Sequence, residues 1–396
     1  MARIDRYLAI SATANYTGGG TNYVVQINAG SYYIVYADGN SDVAFIKSTD
    51  GVNWSAPTIV FAGTVTALSV WYDRWSGIAA GLIHCAYTES GNSDTLYRTI
   101  NTESADALST ETTIFAGTST AGGGALSIAR SRGGNVYCKT MIDAGAEGGF
   151  FRLPNANVPN GAWDAALTDA EALATTDQWI LLPGWAADNN DMMLVFVDAS
   201  ANGLSRYLFD DSGNSWGESA IIADGSFADS TAATDFPHLA AAVDIANSQN
   251  LLIAWNGRDT ANADLTAWKI TESAITGLTD VVTNGTDDQM GAALGIDTAN
   301  GDLYAFYYGK SDGSETVNTS LRMYYKLSTD DGATWGAETV VTNSLASRRW
   351  MATIPRFTGS FMTAYLDIVG GSAIGASMNL PGGGGLRIAG RGGLAA

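Results

Sequence analysis

Three aspartates directly follow predicted first strands, where side-chain carboxylates could perform acid–base chemistry. They are Asp73, Asp244 and Asp297. Two carboxylates that share general acid–base work must lie roughly 5–9 Å apart. Asp244 and Asp297, however, belong to a repeated turn sequence, Asp-Ile-Ala-Asn and Asp-Thr-Ala-Asn. The repeat favours a role in turns for these two residues.

The histidines and cysteines do not suggest a reactive site. His84 lies within a predicted strand, and His238 follows Pro237 at the start of another, so a Ser/His/Asp arrangement is not expected. Cys85 and Cys138 occupy similar mid-strand positions, which predicts two buried free thiols. The spacing of these residues does not suit metal ligands, and no cofactor is expected.

An internal repeat dominates the sequence and ties these residues to strands. An Asp, a Gly and a Trp precede a small residue and a β-branched pair in three places. The shared residues are Ser48, Asp50, Gly51 and Trp54; Asp211, Gly213 and Trp216; and Ser328, Asp330, Gly332 and Trp335. The Asp carboxylate can accept backbone N–H bonds within its own turn, the Gly can adopt φ > 0, and the Trp can pack beneath the turn. The repeat therefore predicts a folding element rather than a catalytic one.

This repeat resembles the Asp box, Ser-x-Asp-x-Gly-x-Thr-Trp, of sialidase-like β-propellers. The copy at 328–335 matches in full, the copy at 209–216 has Phe209 in place of Ser, and the copy at 48–54 is one residue short. The resemblance implies a propeller of four-stranded blades. In the enzymes of that family it further implies three arginines that bind the substrate carboxylate, an Asp acid/base and a Tyr–Glu nucleophile pair.

Arginines near predicted first strands are the weak candidates for a glycan site that the resemblance offers. They are Arg74, Arg130, Arg349 and Arg356. Their spacing does not show whether three of them share one face, and surface solvation is the favoured interpretation. Phe151-Arg-Leu-Pro154 resembles the family's Phe/Tyr-Arg-Ile-Pro motif, but it falls on a predicted third strand. We therefore expect Arg152 to point away from a central funnel.

Composition indicates an all-β protein and excludes two classes of partner. The chain has 396 residues, of which 46 are Gly and only 15% are charged, a profile typical of many short strands joined by turns. Its net charge of −20 repels nucleic acid and anionic membrane, so neither is expected as a primary partner.

The strand pattern predicts one β-propeller domain at 1–379. Six units of up to four short strands follow one another, and three further strands remain near the C-terminus. We expect the N-terminal strand at Tyr7–Ser11 to complete that last blade, which gives seven blades of about fifty residues. Six blades are possible if one unit, the third above all, is not a blade.

The chain ends predict a role in an assembly. The N-terminus has no apolar stretch typical of a signal peptide, and the chain has no apolar run of about 18 residues. Residues 380–396 form a Gly-rich tail, which we expect other protein subunits to hold, together with the N-terminus. The composition and the blade pattern of the chain are similar to those of propellers in tailed-bacteriophage virion proteins. We therefore expect a non-enzymatic structural or binding protein of the virion, made in the host cytoplasm, with a cell-surface glycan as a further partner. The alternative is a sialidase-clan glycoside hydrolase or lectin.

Overall fold

The computed structural model describes most of the chain as short antiparallel strands. It describes residues 2–11, 24–28, 30–72, 81–91, 94–117, 126–143, 146–168, 178–198, 203–223, 239–255, 265–283, 290–311, 322–341, 348–359, 362–367 and 373–380. These residues contain no α-helix, only one 3-10 turn at Asn155–Asn157. None of their helical segments is long and apolar enough to cross a membrane.

The described strands form seven sheets, here numbered I to VII. Strand β1 spans Ala2–Ser11. Sheet I contains β2 (Val24–Asn28), β3 (Ser31–Ala37), β4 (Val43–Ser48) and β5 (Thr58–Phe61). Sheet II contains β6 (Val65–Tyr72), β7 (Leu82–Glu89), β8 (Thr95–Asn101), β9 (Ala107–Leu108) and β10 (Thr112–Phe115). Sheet III contains β11 (Leu126–Arg130), β12 (Val136–Asp143) and β13 (Ala146–Leu153).

The remaining sheets follow the same plan. Sheet IV contains β14 (Gln178–Pro183), β15 (Met192–Asp198), β16 (Gly203–Asp210) and β17 (Ser215–Ala223). Sheet V contains β18 (Leu239–Asp244), β19 (Gln249–Trp255), β20 (Leu265–Ile270) and β21 (Ile275–Gly277). Sheet VI contains β22 (Met290–Asp297), β23 (Leu303–Tyr308), β24 (Met323–Ser328) and β25 (Thr339–Val340). Sheet VII contains β26 (Arg348–Thr353), β28 (Met362–Asp367) and β29 (Ala373–Leu380); β27 (Arg356–Phe357) joins sheet VI as a parallel edge.

The sheets are the blades of a β-propeller. The first strand of each sheet contacts a strand of the neighbouring sheet, in the series β6, β11, β14, β18, β22, β26 and β2, and β3 contacts β6 to complete the ring. Each sheet is packed between two others, so its middle strand is apolar on both faces. All six residues of β23 are buried, for example. The predicted all-β propeller with antiparallel blades is confirmed.

The ring closes through a sheet built from both ends of the chain. Sheets I to V each take their strands from one continuous segment, and sheet VI adds only the two-residue edge β27. In sheet VII, by contrast, β1 pairs antiparallel with β29, from Ala2 opposite Leu380 to Ser11 opposite Ala373. The predicted closure by the N-terminal strand is therefore confirmed, with a strand longer than Tyr7–Ser11. Residues 381–396 of the predicted tail lie outside the described residues.

Sheet III departs from the four-stranded prediction. Its outer position is taken by the segment that returns past Pro159, which bonds to β13 at two points, Asp164 N–H to Arg152 O and Leu167 N–H to Phe150 O, both at 2.8 Å. Two isolated bonds do not make a ladder, so no regular fourth strand forms.

Two buried serines join successive inner strands. The Ile128 N–H donates to Ser69 Oγ at 3.0 Å, and the Leu181 N–H donates to Ser127 Oγ at 3.0 Å. Both serines occur in a Leu-Ser-Val/Ile sequence at the same place in β6 and β11. These hydroxyls satisfy inner-edge N–H groups that have no partner strand on the side of the axis.

Candidate functional site

A cavity lies among the inner strands of several sheets, around the propeller axis. It spans about 450 Å³, a volume that includes space open to solvent. Its wall is formed by residues of sheets I, II, IV and V and of the segment that joins β26 to β27: Val24, Val25, Gln26, Trp71, Tyr72, Leu182, Ala241, Val243, Ile354, Pro355 and Arg356. Below, this feature is called the axial cavity.

The wall of the axial cavity is mostly apolar, with aromatic and polar groups at separate places. Trp71 and Tyr72 end strand β6. Gln26 is fully buried, and its Oε1 accepts the Thr358 N–H at 3.1 Å while its Nε2 lies 3.4 Å from the Tyr32 hydroxyl. Arg356 supplies a guanidinium group, with five N–H donors in a planar fork. The wall can therefore pack against an apolar ligand face and donate hydrogen bonds from one side.

The candidate arginines do not gather at one place in the described part of the chain. Arg356 lines the axial cavity. Arg130 is fully buried in sheet III, where its Nε donates to Gly134 O at 3.0 Å and its Nη2 to Asn155 Oδ1 at 2.9 Å. Arg74 lies outside the described residues, and Arg349 is described only as backbone of β26.

Arg152 is held away from the axis, as expected from its place on a third strand. Its Nε lies 2.6 Å from Asp164 Oδ2, and its Nη1 lies 2.6 Å from Asp211 Oδ1. These carboxylates raise the pKa of the guanidinium above its usual range, against the opposite effect of its partial burial. The resemblance to the Phe/Tyr-Arg-Ile-Pro motif therefore does not extend to position.

Two copies of the Asp box form the expected turns. Ser328 Oγ accepts the Gly332 N–H at 2.8 Å and donates to Asp330 Oδ1 at 2.8 Å, while Asp330 also accepts the Thr334 N–H at 2.9 Å. Gly332 has φ +83°, as predicted. The turn at Ser48 repeats this pattern: Asp50 accepts the backbone N–H groups of residues 52 and 53, and Gly51 has φ +69°.

The third copy corrects one prediction. The carboxylate that holds the turn of sheet IV is Asp210, which accepts the Gly213 N–H at 3.0 Å and the Ser212 hydroxyl at 2.7 Å. The predicted residue, Asp211, points to sheet III instead. Gly213 does not adopt a positive φ; the following residue, Asn214, does so instead, at +46°. Of the two adjacent aspartates, it is therefore Asp210 that accepts the hydrogen bonds of the turn.

The indoles of the boxes hold one blade to the one before it. Trp335 Nε1 donates to Thr279 O at 2.8 Å, and Trp216 Nε1 donates to Thr168 O at 2.8 Å. Trp163, which follows Asn160 and Gly161 near the outer edge of sheet III, similarly donates to Thr112 Oγ1 of sheet II at 3.3 Å. Trp54 departs from this pattern, because its buried Nε1 has no hydrogen-bond partner among the described residues, and only its backbone bridges to Ser48. The boxes are therefore elements of folding, as predicted.

Two Tyr–Glu pairs are present that the sequence did not reveal. Tyr87 donates to Glu111 Oε2 at 2.7 Å, and Tyr307 donates to Glu338 Oε2 at 2.8 Å. Each joins a second strand to the residue that precedes a fourth strand, so the pairs are equivalent by position. Burial raises the pKa of both tyrosines well above its usual value, the opposite of what a phenolate nucleophile needs. Both pairs belong to the packing of the blades.

The carboxylates that follow first strands act in turns. Asp244 accepts the Asn247 and Gln249 side-chain amides at 2.7 and 2.8 Å, and Asp297 accepts the backbone N–H groups of residues 299 and 359 at 3.0 and 3.2 Å. This agrees with the role preferred from sequence. Asp73 lies outside the described residues.

Three other carboxylates meet in sheet IV. Oxygens of Asp188, Asp191 and Asp210 lie within 4.8 Å of one another, which is a spacing that could hold a cation. Asp188 and Asp191 also accept the N–H groups of Asn190 and Asp211, at 2.8 and 3.0 Å. Burial, reinforced by the neighbouring acids, raises the pKa of Asp191. The hydrogen bonds fix these side chains as parts of two adjoining turns.

The histidine and the cysteines of the interior are unreactive. His84 Nδ1 lies 2.7 Å from the Tyr97 hydroxyl, and burial lowers the pKa of the imidazole to about 3. Cys85 and Cys138 are free and buried, as predicted. Burial raises the pKa of the Cys85 thiol to about 12 and that of Cys138 further.

Comparisons with known proteins agree with the fold. No protein-family model matches the chain, and no curated protein is similar to it in sequence. Among solved structures, the chain is similar to the BP39L lectin from Burkholderia pseudomallei, with a TM-score of 0.64 at 13% identity, over 95% of this chain and 98% of the lectin. It is also similar to a family PL25 ulvan lyase bound to -[GlcA(1-4)Rha3S]-, with a TM-score of 0.57 at 11% identity, over 95% of this chain and 96% of the lyase. At such identities the similarity establishes the propeller fold.

Proposed function

We propose that this protein is a carbohydrate-binding β-propeller and that the sugar binds in the axial cavity. The observation that carries the proposal is the wall of the cavity, where Trp71 and Tyr72 stand among aliphatic side chains and Arg356 provides donors. Apolar walls with a few placed polar groups are typical of small-ligand sites. A pyranose has both an apolar C–H face and hydroxyl acceptors, so it suits such a wall.

The comparisons support the ligand class without deciding the activity. The two similar structures are, by their names, a lectin and a polysaccharide lyase. Because this fold occurs both in a lectin and in a lyase, the activity has to be argued from the residues of the site. The described residues that line the axial cavity include no Asp, Glu, His or Cys. A sialidase-type site would use an Asp acid/base and a Glu beside its Tyr nucleophile, and the described lining supplies neither carboxylate. We therefore favour binding without hydrolysis over a sialidase-type hydrolase.

The test is a glycan-array screen followed by calorimetry with the best ligand. Ala241→Trp fills the cavity from strand β18 and should abolish binding. Ile59→Trp, on the exposed outer strand of sheet I, is the matched control and should bind as the wild type does. The proposal fails if no carbohydrate binds, or if Ala241→Trp is folded and binds normally. Release of new reducing or unsaturated sugar ends would favour the enzyme alternative.

We also propose that the propeller is a subunit of a larger particle, a bacteriophage virion, joined through its chain ends. The observation in favour is the pairing of Ala2 with Leu380 at the rim of sheet VII, so both ends of the described chain leave the propeller at one place. Mass spectrometry of purified virions should detect the protein, and deletion of residues 381–396 should reduce its incorporation. Absence from the particle would contradict this proposal and leave carbohydrate binding unaffected.

A further inference from the structure

The chain that follows strand β26 does not turn directly back into sheet VII. It first runs along the edge of strand β22 in sheet VI, where it forms the parallel strand β27. There Pro355 O accepts the Ile296 N–H at 2.9 Å, and Phe357 O accepts the Thr298 N–H at 2.8 Å and the Thr298 hydroxyl at 3.0 Å. Because these bonds fasten the segment 354–359 to a neighbouring sheet, it is called the latch below.

The latch also reaches the sheet on the other side of sheet VII. The Thr358 N–H donates to Oε1 of the fully buried Gln26, in sheet I, at 3.1 Å. The next N–H, that of Gly359, donates to Asp297 Oδ1 of sheet VI at 3.2 Å. Two successive residues thus link sheets I and VI across sheet VII, which is the sheet that closes the ring with strands from both chain ends.

The latch is packed closely against sheet VI. Phe357 is buried, and the centroid of its ring lies 5.4 Å from that of Tyr304. A Cβ at Gly295 would lie 2.8 Å from Ile354 O, so the backbone of the latch fills space that only a glycine leaves free. Release of the latch would expose Phe357 and break the hydrogen bonds to sheet VI together, which is the behaviour of one cooperative unit.

The latch is at the same time one wall of the axial cavity. Ile354, Pro355 and Arg356 line the cavity, and the hydrogen bonds of Pro355 O and Phe357 O hold Arg356 between them. A latch that left sheet VI would take this wall with it. The axial cavity therefore keeps its shape only while the latch is closed.

We propose that a ligand in the axial cavity holds the latch closed, so that ligand binding and closure of the ring stabilise each other. This rests on the proposed function. A ligand that binds only the closed form lowers the population of the open form by the factor 1 + [L]/Kd, which is about 100 when the ligand is present at about 100 times its dissociation constant. By linkage, a change that loosens the latch acts against the ligand in the same way.

Amide hydrogen exchange measures the opening of the latch. It is compared without ligand and with the glycan that binds most tightly on the array, at about 100 times its dissociation constant, where exchange at the Thr298, Thr358 and Gly359 amides should slow about 100-fold. These three residues are not among the described residues that line the cavity, so direct cover by the ligand does not explain the effect. The Thr334 amide, bonded to Asp330 in the Asp box of sheet VI, is the control and should exchange at an unchanged rate.

A variant tests the latch without any ligand. Thr298→Val removes the hydroxyl that bonds to Phe357 O and lies 2.9 Å from the Thr358 hydroxyl. Exchange at the Thr358 and Gly359 amides should become about tenfold faster, the effect of losing one hydrogen bond, and Thr298→Ser should restore the slow rate. Thr271→Val, which removes a hydroxyl from an exposed turn of sheet V, is the matched control and should leave these rates unchanged.

The outcomes separate this inference from the proposed function. Unchanged exchange at the latch amides with the glycan bound overturns the coupling and leaves carbohydrate binding intact. Equal slowing at Thr334 also overturns it, because the ligand would then act on the fold as a whole. Equal rates in the wild type and in folded Thr298→Val overturn the latch itself. If no glycan on the array binds, the proposed function fails and the coupling fails with it, whatever the rates in Thr298→Val.

Discussion

The Nη1 atom of Arg152 lies 2.6 Å from Oδ1 of Asp211, so a third strand of sheet III is bound to the turn before the fourth strand of sheet IV. The same relationship recurs between Lys47 and Asp106, from sheet I to sheet II, and between Lys269 and Asp331, from sheet V to sheet VI. Among the described residues, these ion pairs occupy alternate interfaces of the first six sheets.

The ion pair at Asp211 should contribute to stability. Asp211 also accepts the Tyr137 hydroxyl at 2.5 Å, so Asp211→Asn weakens two charge-assisted hydrogen bonds in a partly buried place. We expect a loss of about 1–3 kcal/mol in the free energy of unfolding. Urea denaturation measures it, with an unchanged m-value as a sign that the native fold is retained. Glu103→Gln, on an exposed turn of sheet II, is the control, and an equal effect in both variants would contradict the assignment.

Two glycines with the same backbone angle separate strain from packing. Gly332 and Gly301 both have φ +83°. A Cβ at Gly332 would lie 2.5 Å from Leu278 Cδ1, whereas a Cβ at Gly301 would meet nothing within 4 Å. Gly301→Ala should therefore cost about 1 kcal/mol for the left-handed backbone. Gly332→Ala should cost more, because Leu278 must also move.

Thermal denaturation of the two variants tests this comparison. Gly277→Ala is a further control, since a Cβ there has no neighbour within 4 Å and the backbone angle is ordinary. The melting temperature should be highest for Gly277→Ala, lower for Gly301→Ala and lowest for Gly332→Ala. Equal losses at Gly301 and Gly332 would show that Leu278 moves without cost.

The repeat in the sequence was enough to predict the propeller, because each Asp box marks a local event. The carboxylate of Asp330 and the φ of Gly332 depend on residues within the same turn, which the sequence displays. The sequence does not show which of the two adjacent aspartates of sheet IV accepts the hydrogen bonds of the turn. The prediction of Asp211 was wrong, because Asp210 accepts them. Asp211 instead binds Arg152, which lies 59 residues earlier in the chain, so the residues around the turn do not indicate this role.

The axial cavity could not be predicted in the same way. Tyr72, Leu182 and Arg356 belong to three different sheets, and no spacing in the sequence indicates which inner-strand ends share one wall. Tyr72 and Leu182 lie near the ends of first strands, and Arg356 follows the end of another. A place near a predicted first strand is common to all the candidate arginines, and it does not distinguish Arg130, a buried residue of sheet III, from Arg356 in the wall of the cavity.

The inner strands should depend on the serine hydroxyls between them. Ser127→Ala removes the acceptor of the buried Leu181 N–H, and the unsatisfied donor should cost about 1–3 kcal/mol. Hydrogen exchange at the Leu181 amide should become faster as well. Ser273→Ala, on the exposed turn of sheet V, is the control and should change stability by less than about 0.5 kcal/mol. Unaltered exchange at Leu181 would mean that a water molecule replaces the hydroxyl.

Acid should weaken the first Asp box in a defined range of pH. The hydrogen bond from the Asn53 backbone lowers the pKa of Asp50 most; burial opposes it, and bonds from the Val52 backbone and the Asn53 side chain bring the pKa to about 2. In the unfolded chain an Asp has a pKa of about 3.9. Because the folded pKa is the lower one, the stabilising contribution is complete above pH 4 and is lost as the pH falls towards 2.

The difference in unfolding free energy between the wild type and Asp50→Asn isolates this contribution. It should be constant above pH 4 and disappear near pH 2, and because Asp50 is exposed it should reach only about 1 kcal/mol or less. Asn53→Ala removes the side-chain donor and so raises the folded pKa of Asp50, which should make the contribution smaller and complete its loss at a higher pH. Val52→Ala keeps its backbone N–H and should follow the wild type. If the difference between the wild type and Asp50→Asn does not vary with pH, the hydrogen bonds of Asp50 do not favour its charged form, and the Asp box is held by geometry alone.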